Sequence, residues 1–306
     1  MHLMITLDCK KKEVSEIQKY LSFLGYDLVI DGYFGNITLR SLKAFQKKYN
    51  LDVTGIADSF TLSALKAAQK RTSKEENYTN RIINYKNLDV DLSVNQASEQ
   101  YIKQKTKKDK IFIHHNVGGP NPKYVSNFWD NISPRSASPF LIEGRGDSDG
   151  RIYEVFNPYF WSFHLGVKGS KGKLDKSSIG IELCSWGALK KRGDNFYNIY
   201  GDKISSDEVI KLEKPWRGNY YYHSYSDKQL ESLEKLIEHI CVEYKIEIQD
   251  FCFDNKWLEF DKSIITSNKP GIWSHSSVRK DVSELYPDQR IFSILNKIKL
   301  KMQNND

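Results

Sequence analysis

The feature that most constrains this chain is a polar break. From Ala67 to Asn80 it runs through lysine, glutamate, asparagine and threonine with few apolar side chains to bury, so no single core continues across it. Apolar periodicity resumes on both sides. A chain of 306 residues is long enough for two domains of ~100–200 residues each. The expected division is a small helical domain over residues 1–70, a polar linker and lead-in over 71–109, and a larger domain over 110–306. Within the lead-in, Ile82-Ile83, Leu88, Val90 and Leu92 are expected to pack onto the larger domain. Asn95 to Lys103 are expected to form a short helix.

Residues 12 to 66 read as a helical unit. Val14, Ile17, Leu21 and Leu24 recur at the spacing of one helix face, Gly25 supplies a stop, and a second helix carries Leu39, Leu42, Ala44 and Phe45. Between them lies Ile30-Asp31-Gly32-Tyr33-Phe34-Gly35-Asn36-Ile37-Thr38. A fainter copy follows at Val53-Thr54-Gly55-Ile56-Ala57-Asp58-Ser59-Phe60-Thr61, with Gly55 in the place of Gly32 and Thr61 in that of Thr38. Each copy sets a glycine turn before a capping threonine and a helix. Together with the Ile17-Gln18, Leu21, Gly25-Tyr26 opening and the Phe45-Gln46 pair, the unit resembles the three-helix peptidoglycan-binding domain often attached to cell-wall hydrolases. That resemblance covers this unit alone and implies peptidoglycan as a partner.

Composition excludes several classes. Charged residues make up 28% and hydrophobic ones 39%, the balance of globular domains rather than of a disordered tail. Apolar runs such as Ile111-Phe112-Ile113 fall far short of the ~20 residues of a membrane span, so no stable membrane insertion is expected. Met1 to Cys9 has neither a basic leader nor a small-residue cleavage site. Synthesis in the cytoplasm without a signal peptide is expected, with action on a wall after release or injection. Cys9, Cys184, Cys241 and Cys252 lack paired spacing and read as reduced, mostly buried thiols. The net charge of +7 favours a polyanionic partner but fits nucleic acid, anionic lipid and acidic wall alike. No nucleic-acid-binding motif accompanies it, so nucleic acid is not an expected partner, and the oligomeric state is left open.

The larger region mixes strands and helices, which predicts an α/β domain with a mixed central β-sheet flanked by helices. Ile111-Phe112-Ile113, Phe140-Leu141-Ile142, Ile152 to Val155 and Ser178 to Leu183 read as strands, with an Asp149-Gly150 turn between the second and third. Ser226 and Gln229 form a capping box for a helix carrying Leu230, Leu233, Ile237, Ile240 and Tyr244 on one face. A last helix carries Ile291, Phe292, Leu295 and Ile298.

Among the seven histidines, His114 ends the first of these strands and His275 follows Ile272-Trp273-Ser274 in the same manner. Asp281 and Glu284 lie just downstream. Two imidazoles and one carboxylate are a donor set for catalytic zinc with an open fourth position. Five blocks around these residues carry a resemblance. They are Ile111 to Asn116, Phe140 through Asp149-Gly150-Arg151-Ile152-Tyr153, Phe163-His164-Leu165-Gly166-Val167, Ser178 to Leu183, and Ser274-His275 through Val278-Arg279 to Glu284-Leu285-Tyr286-Pro287. In order and spacing they resemble the zinc-dependent N-acetylmuramoyl-L-alanine amidases, the fold of phage lysozyme-like amidases and peptidoglycan recognition proteins.

The resemblance implies zinc held by His114, His275 and a third ligand that is usually aspartate. Glu284 fits that place better than Asp281. It implies that Glu182 acts as the base on the zinc water. It also implies that His164 and His115 lie beside the substrate. The family's usual lysine before the third ligand is replaced by Val282, which leaves Arg279 or Lys280 to stabilise an oxyanion. A histidine often found before Phe140 is replaced by Pro139. The aromatics between Ser185 and Tyr225, among them Trp186, Trp216 and Tyr220-Tyr221-Tyr222, are candidates to line a glycan groove. The expected activity is hydrolysis of the amide between N-acetylmuramic acid and L-alanine, as in an endolysin. The alternatives are a non-catalytic peptidoglycan-recognition protein and a secreted antibacterial effector.

Overall fold

The computed structural model describes residues 12–24, 26, 28–49, 51–58, 61–66, 68, 82–85, 88–94, 96, 100–116, 118–130, 136–168, 172–248, 252–282 and 285–303. Cys9, Gly25, Glu284 and most of the linker lie outside them. The chain forms two compact units, Met1–Asn80 and Arg81–Asp306.

In the first unit, α1 (Lys12–Phe23) and α2 (Asn36–Lys48) precede a third helical stretch, α3, over residues 61–66. Val14, Ile17, Leu21, Phe34, Leu42, Phe45, Ala57 and Leu65 form its core. The two sequence copies share one polar device. The Gln18 side chain accepts from the Gly32 N–H at 2.8 Å and donates to Thr38 Oγ1 at 3.2 Å and to the Tyr33 carbonyl at 3.0 Å. Gln46 accepts from the Gly55 N–H at 2.8 Å and donates to Thr61 Oγ1 at 3.2 Å and to the Ile56 carbonyl at 3.0 Å. Both glutamines are buried, and Gly32 and Gly55 take φ of +72° and +73°. Left-handed backbone at the turn is why glycine recurs. A buried amide that satisfies the turn and the capping threonine together is why glutamine does.

The second unit is built on a seven-stranded sheet. Its strands are β1 (Ile82–Tyr85), β2 (Leu88–Asp91), β3 (Lys110–Asn116), β4 (Phe140–Ile142), β5 (Ile152–Glu154), β6 (Ser178–Cys184) and β12 (Gly271–Ser274), in the order β1-β2-β5-β4-β6-β3-β12. β4, β6, β3 and β12 run parallel. The expected lead-in thus supplies two strands, and Leu88 and Val90 are buried in the sheet's core. The expected helix over Asn95–Lys103 falls partly outside the described residues, and Gln100, which is described, lies in a 3₁₀ turn. On either side of it the Gln96 N–H donates to the Val155 carbonyl and Ile102 bridges Trp161.

One sheet face, with Leu141 and Tyr153, packs Val125 and Trp129 of α4 (Pro122–Asp130). The other, with Phe140, Ile142 and Ile181, packs α6 (Asp227–Tyr244) and α8 (Gln289–Gln303). Between β6 and these helices, residues 185–225 form a meander and a hairpin. β7 (Lys190–Arg192), β8 (Asn195–Tyr197) and β9 (Lys203–Ile204) are the meander, and β10 (Val209–Trp216) and β11 (Asn219–His223) the hairpin. The two ends of this excursion are clasped. Ser185 Oγ lies 3.0 Å from His223 Nδ1, and the His223 N–H donates to the Gly187 carbonyl.

Ser226 caps α6 by accepting from the Gln229 N–H at 3.0 Å, but the reciprocal half of the expected box is replaced. The Gln229 amide donates to the carbonyls of Ile142 and Cys184 at 2.9 and 3.0 Å, at the ends of two neighbouring strands. Cys184 and Cys241 are buried free thiols, whereas Cys252 is exposed.

Candidate active site

The side chains of interest converge at the carboxyl ends of the parallel strands β3, β6 and β12, where ligands bind in open α/β sheets. Strand pairing sets His114 beside Glu182 and Phe112 beside Gly180. Side chains two apart share a face, so Ser178, Gly180 and Glu182 form one stripe on β6. His164 lies over it. A Cβ on Gly180 would stand 3.0 Å from His164 Nδ1 and 2.5 Å from Ser138 Oγ, so glycine makes the space that the imidazole fills.

His164 Nε2 lies 2.9 Å from Ser178 Oγ, and its Nδ1 lies 3.0 Å from His114 Nε2. The His114 and His275 rings are 4.4 Å apart between centroids. His114 Nδ1 is 3.7 Å from Glu182 Oε1, which also accepts from Ser138 Oγ at 2.9 Å. All four residues are buried, with Glu182 at 7% exposure, and β6 is buried along its whole length. Burial, followed by the nearby His114, His275 and Lys108, holds the pKa of His164 well below its ordinary value, so it is neutral near pH 7.

His275 opens a short 3₁₀ turn, His275–Ser277, directly after β12. Its Nε2 lies 2.9 Å from the Leu165 carbonyl. Leu165 also accepts from Arg279 Nη1 at 3.3 Å, and its N–H donates to Asp175 Oδ1 at 3.0 Å. Asp175 sits on α5 (Lys173–Ser177) and is buried. Behind it, the buried Lys108 donates to the carbonyls of Phe160 and Lys176 at 2.8 and 3.1 Å. Burial lowers the Lys108 pKa to about 7, against the opposing pull of Asp175.

The other sequence-predicted residues engage partners of their own. His115 projects from the opposite face of β3, where it meets the Tyr225 hydroxyl at 2.5 Å. The period of two along a strand that puts His114 in the cleft takes His115 out of it. Arg279 pairs with Asp281 through two contacts of 2.6 Å and donates to the Gly166 carbonyl at 3.1 Å. It braces the loop that carries Leu165 and Gly166. Asp281 is correspondingly engaged at both oxygens and 68% exposed, and the arginine pulls its pKa down to about 2.

Glu284 lies outside the described residues, and among those described no group of three or more histidine, cysteine, aspartate or glutamate side chains forms a metal cluster. His114 and His275 nevertheless fit zinc by chemistry, as two buried, adjacent imidazoles at a sheet end. The aromatics of the excursion divide. Tyr222 is buried and packs at a tilt against Tyr286, while Tyr200 and Tyr220 are exposed. Sequence reading missed Ser138, Ser178, Asp175 and Lys108. The sole available signal was Ser138 beside Pro139, where a polar neighbour was expected.

A buried acid thus stands beside paired imidazoles at the carboxyl edge of the mixed sheet. Residues 104–283 match the N-acetylmuramoyl-L-alanine amidase family. The chain belongs to that family. Residues 10–65 match the peptidoglycan binding domain family. A peptidoglycan-binding protein from Clostridioides difficile, in complex with glutamine hydroxamate, is 36% identical over 23% of this chain and 44% of its own, with a TM-score of 0.22. A mutant endolysin from Bacillus subtilis is 14% identical over 70% of this chain and 97% of its own, with a TM-score of 0.36. The E. coli amidase AmiD, solved with an anhydro-muramyl peptide, is 19% identical over 54% of this chain and 53% of its own, with a TM-score of 0.31. No curated protein matches the sequence.

Proposed function

We propose that this chain is a zinc-dependent peptidoglycan amidase of the endolysin type, cleaving the bond between N-acetylmuramic acid and L-alanine. The observation that carries the reading is the convergence of His114, His275, His164 and Glu182 at one sheet edge. His114 and His275, completed by Glu284, would hold the metal. When bound, zinc supplies Lewis-acid polarisation of the scissile carbonyl and acidifies the attacking water. Glu182 receives the water's proton and delivers it to the departing amine nitrogen. Ser138 keeps the carboxylate aimed by donating to one oxygen. His164, neutral and anchored on Ser178, holds His114 in place.

The first unit supplies wall affinity, which raises local substrate concentration without adding chemistry. Action on the wall follows release or injection from the cell of synthesis. No described helix is long and apolar enough to cross a membrane.

The test is end-group analysis of peptidoglycan incubated with purified protein. Free stem peptides with an L-alanine N-terminus are expected. New reducing sugars without new amino termini would overturn the reading.

A further inference from the structure

The loop carrying Leu165 is held more firmly than packing alone requires. Leu165 is fully buried, and both of its backbone polar groups are committed. Its N–H goes to Asp175, and its carbonyl receives His275 Nε2 and Arg279 Nη1. The next residue, Gly166, turns the chain with φ +58°, and a Cβ there would stand 2.4 Å from Arg279 Nη1.

A carbonyl oxygen only accepts hydrogen bonds. The 2.9 Å contact therefore makes His275 Nε2 the donor. In the neutral ring this leaves Nδ1 as the nitrogen with the lone pair. A metal-binding imidazole is commonly oriented in this way, through a bond made by its other nitrogen.

The carbonyl can do this only while Leu165 stays where it is, and the group holding the other side of Leu165 is a carboxylate at 2% exposure. A buried carboxylate is costly, and a purely apolar contact would not need one. Lys108 is its electrostatic counterpart, itself buried and tied to two carbonyls. Because Leu165 directly follows His164, the same bond also fixes the backbone beneath the second imidazole.

We propose that Asp175 is a positioning residue of the centre: it pins Leu165, whose carbonyl sets His275 in the Nε2-protonated tautomer, leaving Nδ1 to the metal. The inference rests on reading His275 as a metal-binding imidazole. Its first readout, however, needs neither metal nor activity.

The experiment labels histidine with ¹⁵N in the metal-free full chain and reads the ring nitrogens of His275, assigned with His275→Gln. Wild type should show the Nε2–H tautomer, and finding Nδ1–H there overturns the proposal at once. Asp175→Asn keeps an acceptor oxygen, so it should keep the tautomer and hold zinc affinity, measured by chelator competition, within about threefold. Asp175→Leu should give mixed tautomers and lose the 10–100-fold in affinity typical of outer-shell changes. An unchanged tautomer in a folded Asp175→Leu protein overturns the proposal, as does a loss in Asp175→Asn equal to that in Asp175→Leu. If wild type binds no zinc while His275 still shows the Nε2–H form, the metal reading fails and the positioning role stands.

Discussion

Gln18→Leu isolates the polar device of the first unit. The substitution keeps approximate volume and removes an amide that meets four partners: the Gly32 N–H, the Tyr33 carbonyl, Thr38 Oγ1 and Asp31 Oδ1. The Gly32, Asp31 and Tyr33 contacts are part-buried and the Thr38 contact is buried; water can replace the Asp31 and Tyr33 contacts at little cost. Leaving the turn N–H and the threonine without their partner costs ~1–3 kcal/mol for a buried group and about 1 kcal/mol for the second bond, or roughly 3 kcal/mol together. In a domain of this size that lowers Tm by about 12–24 °C. Scanning calorimetry of the full chain should show the first unit's transition falling while the second unit's stays fixed. Gln46→Leu should reproduce the effect, because it removes the equivalent set of bonds. A fall of less than ~4 °C in both variants would refute the reasoning, since it corresponds to under about 1 kcal/mol.

Glu182→Gln should retain zinc and wall binding while turnover on peptidoglycan falls by roughly 10²–10⁴; near-normal turnover with zinc content confirmed would make Glu182 structural. His223, whose pKa burial depresses from 6.5 to about 3, takes up a proton in the unfolded chain first. Its contribution to stability is therefore complete above pH 6.5 and declines as pH falls toward 3, by about 1.4 kcal/mol per pH unit. His223→Gln should flatten that slope in acid unfolding curves, and identical slopes would reject the assignment. Asp281→Ala should leave zinc content unchanged while Glu284→Ala lowers it, and elemental analysis giving the opposite order would move the ligand to Asp281. A chain beginning at Arg81 should bind walls more weakly yet cleave a small soluble muropeptide at a similar rate; a collapse of that rate in a folded protein would place the first unit in the active site.

The site was legible in sequence where chemistry and strand period agree. His114 and Glu182 stand in regular apolar strands whose pairing puts them side by side, and a polar residue in such a strand announces itself. His275 was legible from its place after a strand. What was hidden depends on contacts between segments far apart in the chain. Asp175 reads as an ordinary charged residue among lysines until Leu165 is folded onto it. Lys108 sits in a lysine run in which Lys105 and Lys107 are exposed and Lys110 alone is comparably buried. The strands β1 and β2 were visible only as apolar residues, because four-residue strands carry too little periodicity to declare themselves. Gln229 illustrates the same limit. Its place in the sequence fits a local cap, while its amide serves the sheet.

The clasp between Ser185 and His223 bears on how this scaffold can change. Chain leaves the sheet and returns to it through contacts among Ser185, Gly187 and His223, and Gln229 fastens the carbonyls of Ile142 and Cys184 just inside that gate. The meander beyond the gate is therefore a cassette. Each doubling of a closed loop's length adds only about 0.6 kcal/mol of entropy cost, so the meander over 190–204 can change length, whereas the hairpin lays Ile210, Leu212 and Trp216 on the main core and ties Arg217 to the Lys280 carbonyl. Lineages sharing this sheet are free to vary the meander alone while keeping the strand ends that carry His114 and Glu182.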